Sequence, residues 1–238
     1  MINLAKKNVK SLQKPQKYTH LPWEERIVHE KQCWERGFQR VAGFDEAGRG
    51  PLAGPVVAAC FVIPGDFYLE GLNDSKQLTV LRRERFYQIL TGGNYEFGIG
   101  IVEAEEIDKI NIYQASRQAM VKALQNLKES PDYLLVDALQ IPSTDITQQP
   151  IIHGDALSVS IAAASVIAKC TRDAMMVQYD SLYPGYGFAK HKGYPTREHY
   201  SALEKLGPSP IHRLSFRLDK NDNLQTLNLF GEDGVVKF

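Results

Sequence analysis

Val41-Ala42-Gly43-Phe44-Asp45-Glu46-Ala47-Gly48-Arg49-Gly50-Pro51 runs a short apolar segment directly into two carboxylates and a Gly-Arg-Gly turn. The apolar part reads as a buried strand over residues 40–46, ending on its acids. Carboxylates at a buried strand end are costly unless they are paired or bind a cation. The turn that follows offers exposed backbone N–H groups and a guanidinium, both suited to a phosphate or a sugar. A cation site beside an anion site is the arrangement that metal-assisted phosphodiester chemistry requires.

The neighbouring segments extend this strand into a sheet. Val56 to Ile63 is apolar and β-branched and reads as a hairpin partner, with Gly54-Pro55 turning the chain. Residues 72–78 read as a loop, after which Thr79 caps a helix reaching about Leu90. Tyr95 to Val102 reads as a third strand, and residues 103–128 as helix in two pieces. Tyr133 to Val136 is a short buried strand ending on Asp137, and residues 138–150 form a loop. Ile151-Ile152 reads as a further short strand closed by His153-Gly154-Asp155. A long helix is expected from about Ala156 to Asp180, with small residues in Ile161 to Ser165 that let another backbone approach. An aromatic and basic Gly/Pro loop, 183–196, precedes a last helix to Leu206. Upstream, Leu21 to Phe38 reads as one helix starting near Pro22. The order of elements predicts an α/β fold with a mixed central sheet flanked by helices and a C-terminal helical extension.

Composition bounds the alternatives. The 238 residues suffice for one large domain or one domain with appendages. No apolar run approaches the roughly 18 residues of a membrane span, and residues 1–16 lack the apolar stretch of a secretory signal. Three widely spaced cysteines, Cys33, Cys60 and Cys170, show neither zinc spacing nor a disulfide framework, which fits a cytoplasmic protein. The 28 basic and 28 acidic side chains cancel, which argues against bulk electrostatic binding of nucleic acid. The distribution is uneven, however. Residues 1–20 carry five lysines and no acid, and residues 169–220 carry nine Lys/Arg against five Asp/Glu.

Four acids fall at strand ends or turns: Asp45, Glu46, Asp137 and Asp155. Hard divalent cations take oxygen ligands, and two of them about 3.5–4 Å apart can activate a water and stabilise a leaving oxygen. Asp155, just before a helix, is equally readable as an N-cap. Asp45 and Glu46 pose a geometric problem, because adjacent strand residues point to opposite faces. Both serve one site only if the strand ends there, or if Glu46 uses its carbonyl.

Six blocks now identify a resemblance: GFDEAGRGPLAGPVVAA (43–59), DSKQL (74–78), EIDKINIYQAS (106–116), LLVDA (134–138), GDALSVSIAAASVIAKCTRD (154–173) and YGFAKHKGYPT (186–196). In this order and spacing the chain resembles the ribonuclease HII family of prokaryotic type 2 RNases H, over residues 41–217. The resemblance implies an RNase H-like fold and hydrolysis of the RNA strand of RNA–DNA hybrids. It implies incision on the 5′ side of single ribonucleotides embedded in duplex DNA, leaving 3′-hydroxyl and 5′-phosphate ends, with Mn²⁺ or Mg²⁺ as cofactor. Asp45, Glu46, Asp137 and Asp155 match the family's acidic quartet, with Asp45 shared between two ions. Gly48, Arg49 and Gly50 match the backbone that reads the ribose 2′-hydroxyl, the group that marks RNA inside DNA. Tyr194 matches a tyrosine stacked at the RNA–DNA junction, and Lys76, after Ser75, a phosphate-contacting lysine. Lys169 and Arg172, on one helix face, would meet either the acids or phosphates. Two departures stand out: Ala138 replaces a usual Gly, and His153 a frequent Lys. Arg49 and the short basic extension favour type HII over the sister type HIII, which carries Gly-Lys-Gly.

Three segments result: a basic arm and helix (1–40), a catalytic domain (41–217) and a tail (218–238). The tail holds Gln225-Thr226-Leu227-Asn228-Leu229-Phe230, similar to peptides that bacterial replication proteins insert into a sliding clamp, with Thr226 interrupting the usual spacing. The expected partners are RNA–DNA hybrid, ribonucleotide-containing duplex and the clamp, with the chain itself a monomer and no membrane contact.

Overall fold

The computed structural model describes residues 21–218. The clamp-like segment 225–230 and the basic arm 1–20 therefore lie outside the described residues.

Five strands form one mixed sheet in the order β3-β2-β1-β4-β5. They are β1 (Val41–Ala47), β2 (Val56–Val62), β3 (Glu96–Val102), β4 (Tyr133–Asp137) and β5 (Thr147–Ile151). The first three pair antiparallel, β1 with β2 and β2 with β3. β4 runs parallel to β1, and β5 parallel to β4.

Both faces of the sheet are covered, so the central strands are apolar on both sides. On one face Val41, Ala59, Phe61 and Leu135 pack against α3 (Val80–Gly92) and α6 (Val159–Leu182). On the other, Ala42, Phe44, Ala58, Cys60, Leu134 and Val136 pack against α4 (Ala104–Gln125). The small-residue run of α6 does what its composition predicts. A Cβ at Gly43 would collide with the backbone of Ser160 and Ile161, so only glycine allows β1 and α6 to approach this closely.

Three boundaries differ from the sequence reading, each for a local reason. The helix expected over 21–38 is broken at Ile27 into α1 (Trp23–Arg26) and α2 (Val28–Glu35), with Arg26 and Ile27 both turned into the interior. The long helix starts at Val159, where the Ser158 hydroxyl accepts from Ile161 N–H, and a separate turn α5 (Gly154–Leu157) precedes it. β5 begins at Thr147, inside the expected loop. Its residues Thr147 to Pro150 are polar or imide and lie on the sheet edge, where pairing needs no apolar pattern. Asn111 at φ 68° marks the expected division within the 103–128 helical segment.

The C-terminal extension consists of α7 (Phe188–His191) and α8 (Arg197–Leu206), with Leu52, Met176, Tyr186 and Phe188 in their own apolar cluster. Among the described residues, no helix is long and apolar enough to cross a membrane. Cys33, Cys60 and Cys170 are free thiols.

Candidate active site

The acids assemble where the parallel strands part. The β1/β4 register ends at Phe44↔Val136, so Asp45 and Asp137 are the next residues on each strand, side by side at their C-terminal ends. β5 ends opposite Asp137 at Ile151, and a two-residue turn through His153 brings in Asp155. One carboxylate oxygen from each of Asp45, Asp137 and Asp155 lies within 4.8 Å of the others. In open α/β sheets the carboxyl ends of strands are where ligands collect, and these three acids obey that rule.

The strand problem posed by Asp45 and Glu46 is resolved by alternation. Asp45 shares the α6 face with Asp137, whereas Glu46 does not join the trio and its Oε1 pairs with Arg49 Nη1 at 3.2 Å. The other oxygen of Glu46, Oε2, is buried without a hydrogen-bond partner. Nor does Asp155 cap the long helix. It sits in the first turn of α5, and Ser158 takes the capping role.

Hydrogen bonds orient the trio. Asp45 Oδ1 accepts from Glu46 N–H at 2.7 Å, and Asp137 Oδ1 from Gly154 N–H at 2.8 Å. Lys76 Nζ stands 3.5 Å from Asp155 Oδ2, and the Lys76 backbone N–H donates to Asp74 Oδ1. Burial and then the neighbouring Glu46, Asp137 and Asp155 push Asp45 well above the usual carboxylate range. Burial raises Glu46 to about 7 against the pull of Arg49, and raises Asp137 and Asp74 as well. Burial opposes the charge on Lys76, yet Asp45 and Asp155 hold its pKa above the ordinary lysine value.

This donor set fits a hard divalent cation. It is all oxygen, it sits at a strand end and its carboxylates repel one another, and adjacent Glu46 carries an orphaned buried oxygen. The acids can therefore hold divalent metal ions.

The Gly-Arg-Gly turn flanks the trio. Gly48 has φ +100°, and a Cβ there would strike the Arg172 guanidinium. Gly50 is exposed, and a Cβ built on it would lie 3.9 Å from the Tyr194 ring. Tyr194 is 39% exposed, with Lys169 Nζ 5.6 Å and Arg172 Cζ 5.9 Å from its ring centroid. Lys169 is tied to Asp173 at 2.7 Å. Ser75 is buried, and its hydroxyl bonds to that of Ser165, so it anchors the Lys76 loop to α6.

Arg172 stands differently from the phosphate- or acid-facing role expected of it. It is fully buried and donates to the carbonyls of Ala53, Pro55 and Lys192 at 2.9–3.0 Å. It braces the loop from beneath rather than facing solvent.

Several supporting residues carried no motif. Arg26 is buried and donates to the carbonyls of Leu72, Asp155 and Ala156, joining the Lys76 loop to the third acid. Buried Glu30 accepts from Ser158 and Ser160 at the start of α6. Three histidines hold Tyr194, whose backbone N–H donates to His191 O at 2.9 Å. Ser209 N–H donates to His212 Nδ1 at 2.8 Å, His212 and His199 share an Nε2···Nε2 contact at 3.0 Å, and His199 Nδ1 meets the Tyr194 carbonyl at 3.0 Å. A carbonyl only accepts, so His199 carries its proton on Nδ1, and His212 must then donate from Nε2. The concentration of histidine at 191, 199 and 212 is the signal in the sequence that points to this network.

Both departures from the motif pattern, Ala138 (φ 50°) and His153 (φ 59°), adopt left-handed backbone, which accounts for the usual Gly at 138 and not for the choice between Lys and His at 153. These residues occupy turn positions beside the second and third trio acids, where glycine is the relaxed choice.

Comparison with known proteins bears on the same segments. The Ribonuclease HII family model matches residues 42–219. A curated Ribonuclease HII of Clostridioides difficile (strain 630) is 53% identical over 197 residues, covering 81% of this chain and 77% of that protein. That of Bacillus pumilus (strain SAFR-032) is 52% identical over 201 residues, covering 84% and 79%. Among solved structures, the ribonuclease H2 of Pyrococcus horikoshii OT3 aligns with TM-score 0.63 at 28% identity, covering 75% of this chain and 94% of that one. The RNase HII in a PCNA complex from Archaeoglobus fulgidus aligns with TM-score 0.65 at 23% identity, covering 80% and 100%, a likeness of fold. The matched span contains the acid trio, Glu46, the Gly-Arg-Gly turn and Tyr194, and with that span the chain belongs to the ribonuclease HII family.

Proposed function

We propose that the chain is a metal-dependent endonuclease that hydrolyses the RNA strand of RNA–DNA hybrids and incises 5′ of single ribonucleotides in duplex DNA. The observation that carries this reading is the adjacency of two devices, the trio Asp45, Asp137 and Asp155, and the Gly48–Gly50 turn facing Tyr194. Asp45, Asp137, Asp155 and Glu46 would hold Mn²⁺ or Mg²⁺. When bound, such ions supply an activated water and a Lewis acid for the departing 3′ oxygen, leaving a 3′-hydroxyl and a 5′-phosphate.

The chain's own residues select and orient the substrate. Gly48, Arg49 and Gly50 present backbone to a ribose 2′-hydroxyl, and their lack of bulk lets the sugar approach. Tyr194 offers a ring to the nucleotide next to the junction, backed by the cation of Lys169. Lys76 places positive charge at the rim of the acids, where a phosphate arrives. Ser75 fixes that loop, and Arg172 holds the carbonyls of Ala53 and Pro55 just beyond the turn. Arg49 leans on Glu46, which stands outside the trio.

We further propose that residues 225–230 dock on a sliding clamp as an extended peptide. The Archaeoglobus fulgidus structure is a complex of RNase HII with PCNA, which supports the idea by kinship of fold alone.

The test compares three duplexes, each with Mg²⁺ and with Mn²⁺: one ribonucleotide in DNA, a long RNA–DNA hybrid, and all DNA. Cleavage of the first two and not the third is expected. Equal cutting of an all-DNA junction would instead indicate another nuclease of this fold, and binding without cutting a non-catalytic nucleic-acid binder.

A further inference from the structure

Arg213 lies beyond α8, outside the segments matched by motif, and is fully buried. Its backbone N–H donates to Leu52 O at 2.9 Å, and the preceding His212 bridges to Ala53. The side chain is thereby delivered behind the Gly-Arg-Gly turn. Nη2 donates to Gly48 O at 2.6 Å and Nη1 to Arg49 O at 3.0 Å. Nε and Nη2 both reach Gly54 O, at 2.9 and 2.8 Å. Among the described residues, Arg213 makes no ion pair, and burial beside Arg172 drops its pKa to about 9. A buried cation without an acid is expensive. What the position requires is the rigid fork of five donors, which spans three carbonyls at once where an ammonium cannot.

The consequence falls on the other side of the turn. The carbonyls of Gly48 and Arg49 belong to peptides whose N–H groups are those of Arg49 and Gly50. With no cis peptide present, each N–H points away from its own carbonyl. Pinning both carbonyls inward therefore aims both N–H groups outward, on the side where Gly50 is exposed beside Tyr194.

We propose that Arg213 is the positioning residue for sugar selection: it holds the 48–49 and 49–50 peptides carbonyl-inward so that their amides meet a ribose 2′-hydroxyl. This rests on the reading of Gly48–Gly50 as the sugar-reading turn. Arg213 touches no substrate, and its effect is on preference rather than on the acids.

The test uses full-length Arg213→Lys, which keeps the charge and loses the fork. Binding is measured in Ca²⁺ to two duplexes that differ by a single 2′-hydroxyl. Wild type favours the ribonucleotide duplex. Arg213→Lys loses about tenfold of that preference, the worth of one to two hydrogen bonds, while its affinity for all-DNA duplex stays within about twofold of wild type. An unchanged preference overturns the proposal, as does an equal loss on both duplexes, which is the mark of a purely structural role. A wild type without any preference overturns the sugar-reading turn itself, and the Arg213 assignment with it. If circular dichroism shows that the lysine variant does not fold, the amide shifts of Arg49 and Gly50 in wild type decide. Shifts specific to the ribonucleotide duplex support the proposal, and identical shifts with both duplexes refute it.

Discussion

Replacing Asp45 by Asn should abolish cleavage and at the same time stabilise the metal-free protein. Asp45 faces Asp137 and Asp155 with ligand oxygens within 4.8 Å. At an effective dielectric constant of about 20, each fully ionised pair at that separation costs roughly 3.5 kcal/mol. The nearby charge of Lys76 offsets part of this, and burial with the neighbouring acids pushes Asp45 well above the usual carboxylate range. Relief of about half of one such pair, roughly 2 kcal/mol, is the gain expected from the neutral amide. Asn keeps the acceptor that receives Glu46 N–H, so no buried donor is orphaned. For a chain of this size, about 2 kcal/mol raises Tm by about 4–8 °C. The assay is a thermal melt in EDTA and again in Mn²⁺, with cleavage of a one-ribonucleotide duplex alongside. Wild type should gain stability from Mn²⁺, and the variant should start higher and gain little. An Asn variant that melts lower than wild type in EDTA, or that cuts at the wild-type rate, refutes the assignment.

Tyr194→Ala should slow cleavage at single ribonucleotides by about tenfold or more, the scale of one lost stacking contact; unchanged rates would remove Tyr194 from the site. Arg26→Ala should cost about 3–5 kcal/mol in urea denaturation, since it strands the carbonyls of Leu72, Asp155 and Ala156 and leaves Glu30 buried without its cation; a loss under about 1 kcal/mol would deny it a bracing role. His212 is held neutral by burial and by His199, its pKa pushed down to about 4. The folded form thus resists a proton that the unfolded chain takes up near pH 6.5, so this contribution is intact above about 6.5 and is lost as pH falls toward about 4. Imidazole ¹⁵N spectra at pH 6 should show His212 neutral with its proton on Nε2, and an imidazolium there would refute the hydrogen-bond chain. Deleting residues 223–238 should end association with a sliding clamp in pull-down while sparing cleavage, and retained association would sink the tail proposal.

The sheet was legible wherever burial imposed a pattern. β1, β2 and β4 lie between two helical layers, so their apolar runs announce them, and Asp45 and Asp137 stand out as the charges that end those runs. β5 was not legible because an edge strand of Thr-Gln-Gln-Pro needs only backbone pairing. The division of the acids into a trio and a separate Glu46 follows from strand alternation, and the sequence states that problem without its answer. Arg26, Glu30 and Arg213 were invisible for another reason. Each acts on backbone carbonyls or amides more than a hundred residues away in at least one contact, and such partners leave no side-chain pattern to read.

Cutting and choosing are joined in sequence by three residues yet held by different supports. Asp45 and Asp137 are set by the parting of β1 and β4, and Asp155 by the turn that follows β5. The Gly48–Gly50 turn hangs instead on the buried guanidinium of Arg213, while that of Arg172 holds Ala53 and Pro55 just beyond it, and neither reaches any of the acids in a hydrogen bond or ion pair among the described residues. The two supports should therefore fail independently. Asp45→Asn should keep a preference for the ribonucleotide duplex in binding while losing turnover. Arg213→Lys should keep the Mn²⁺-dependent rise in Tm while losing the preference. Measuring both properties in both variants tests the separation. If Arg213→Lys also loses the Mn²⁺ response, the turn and the acids form one unit, and Arg213 supports the metal site as much as the sugar site.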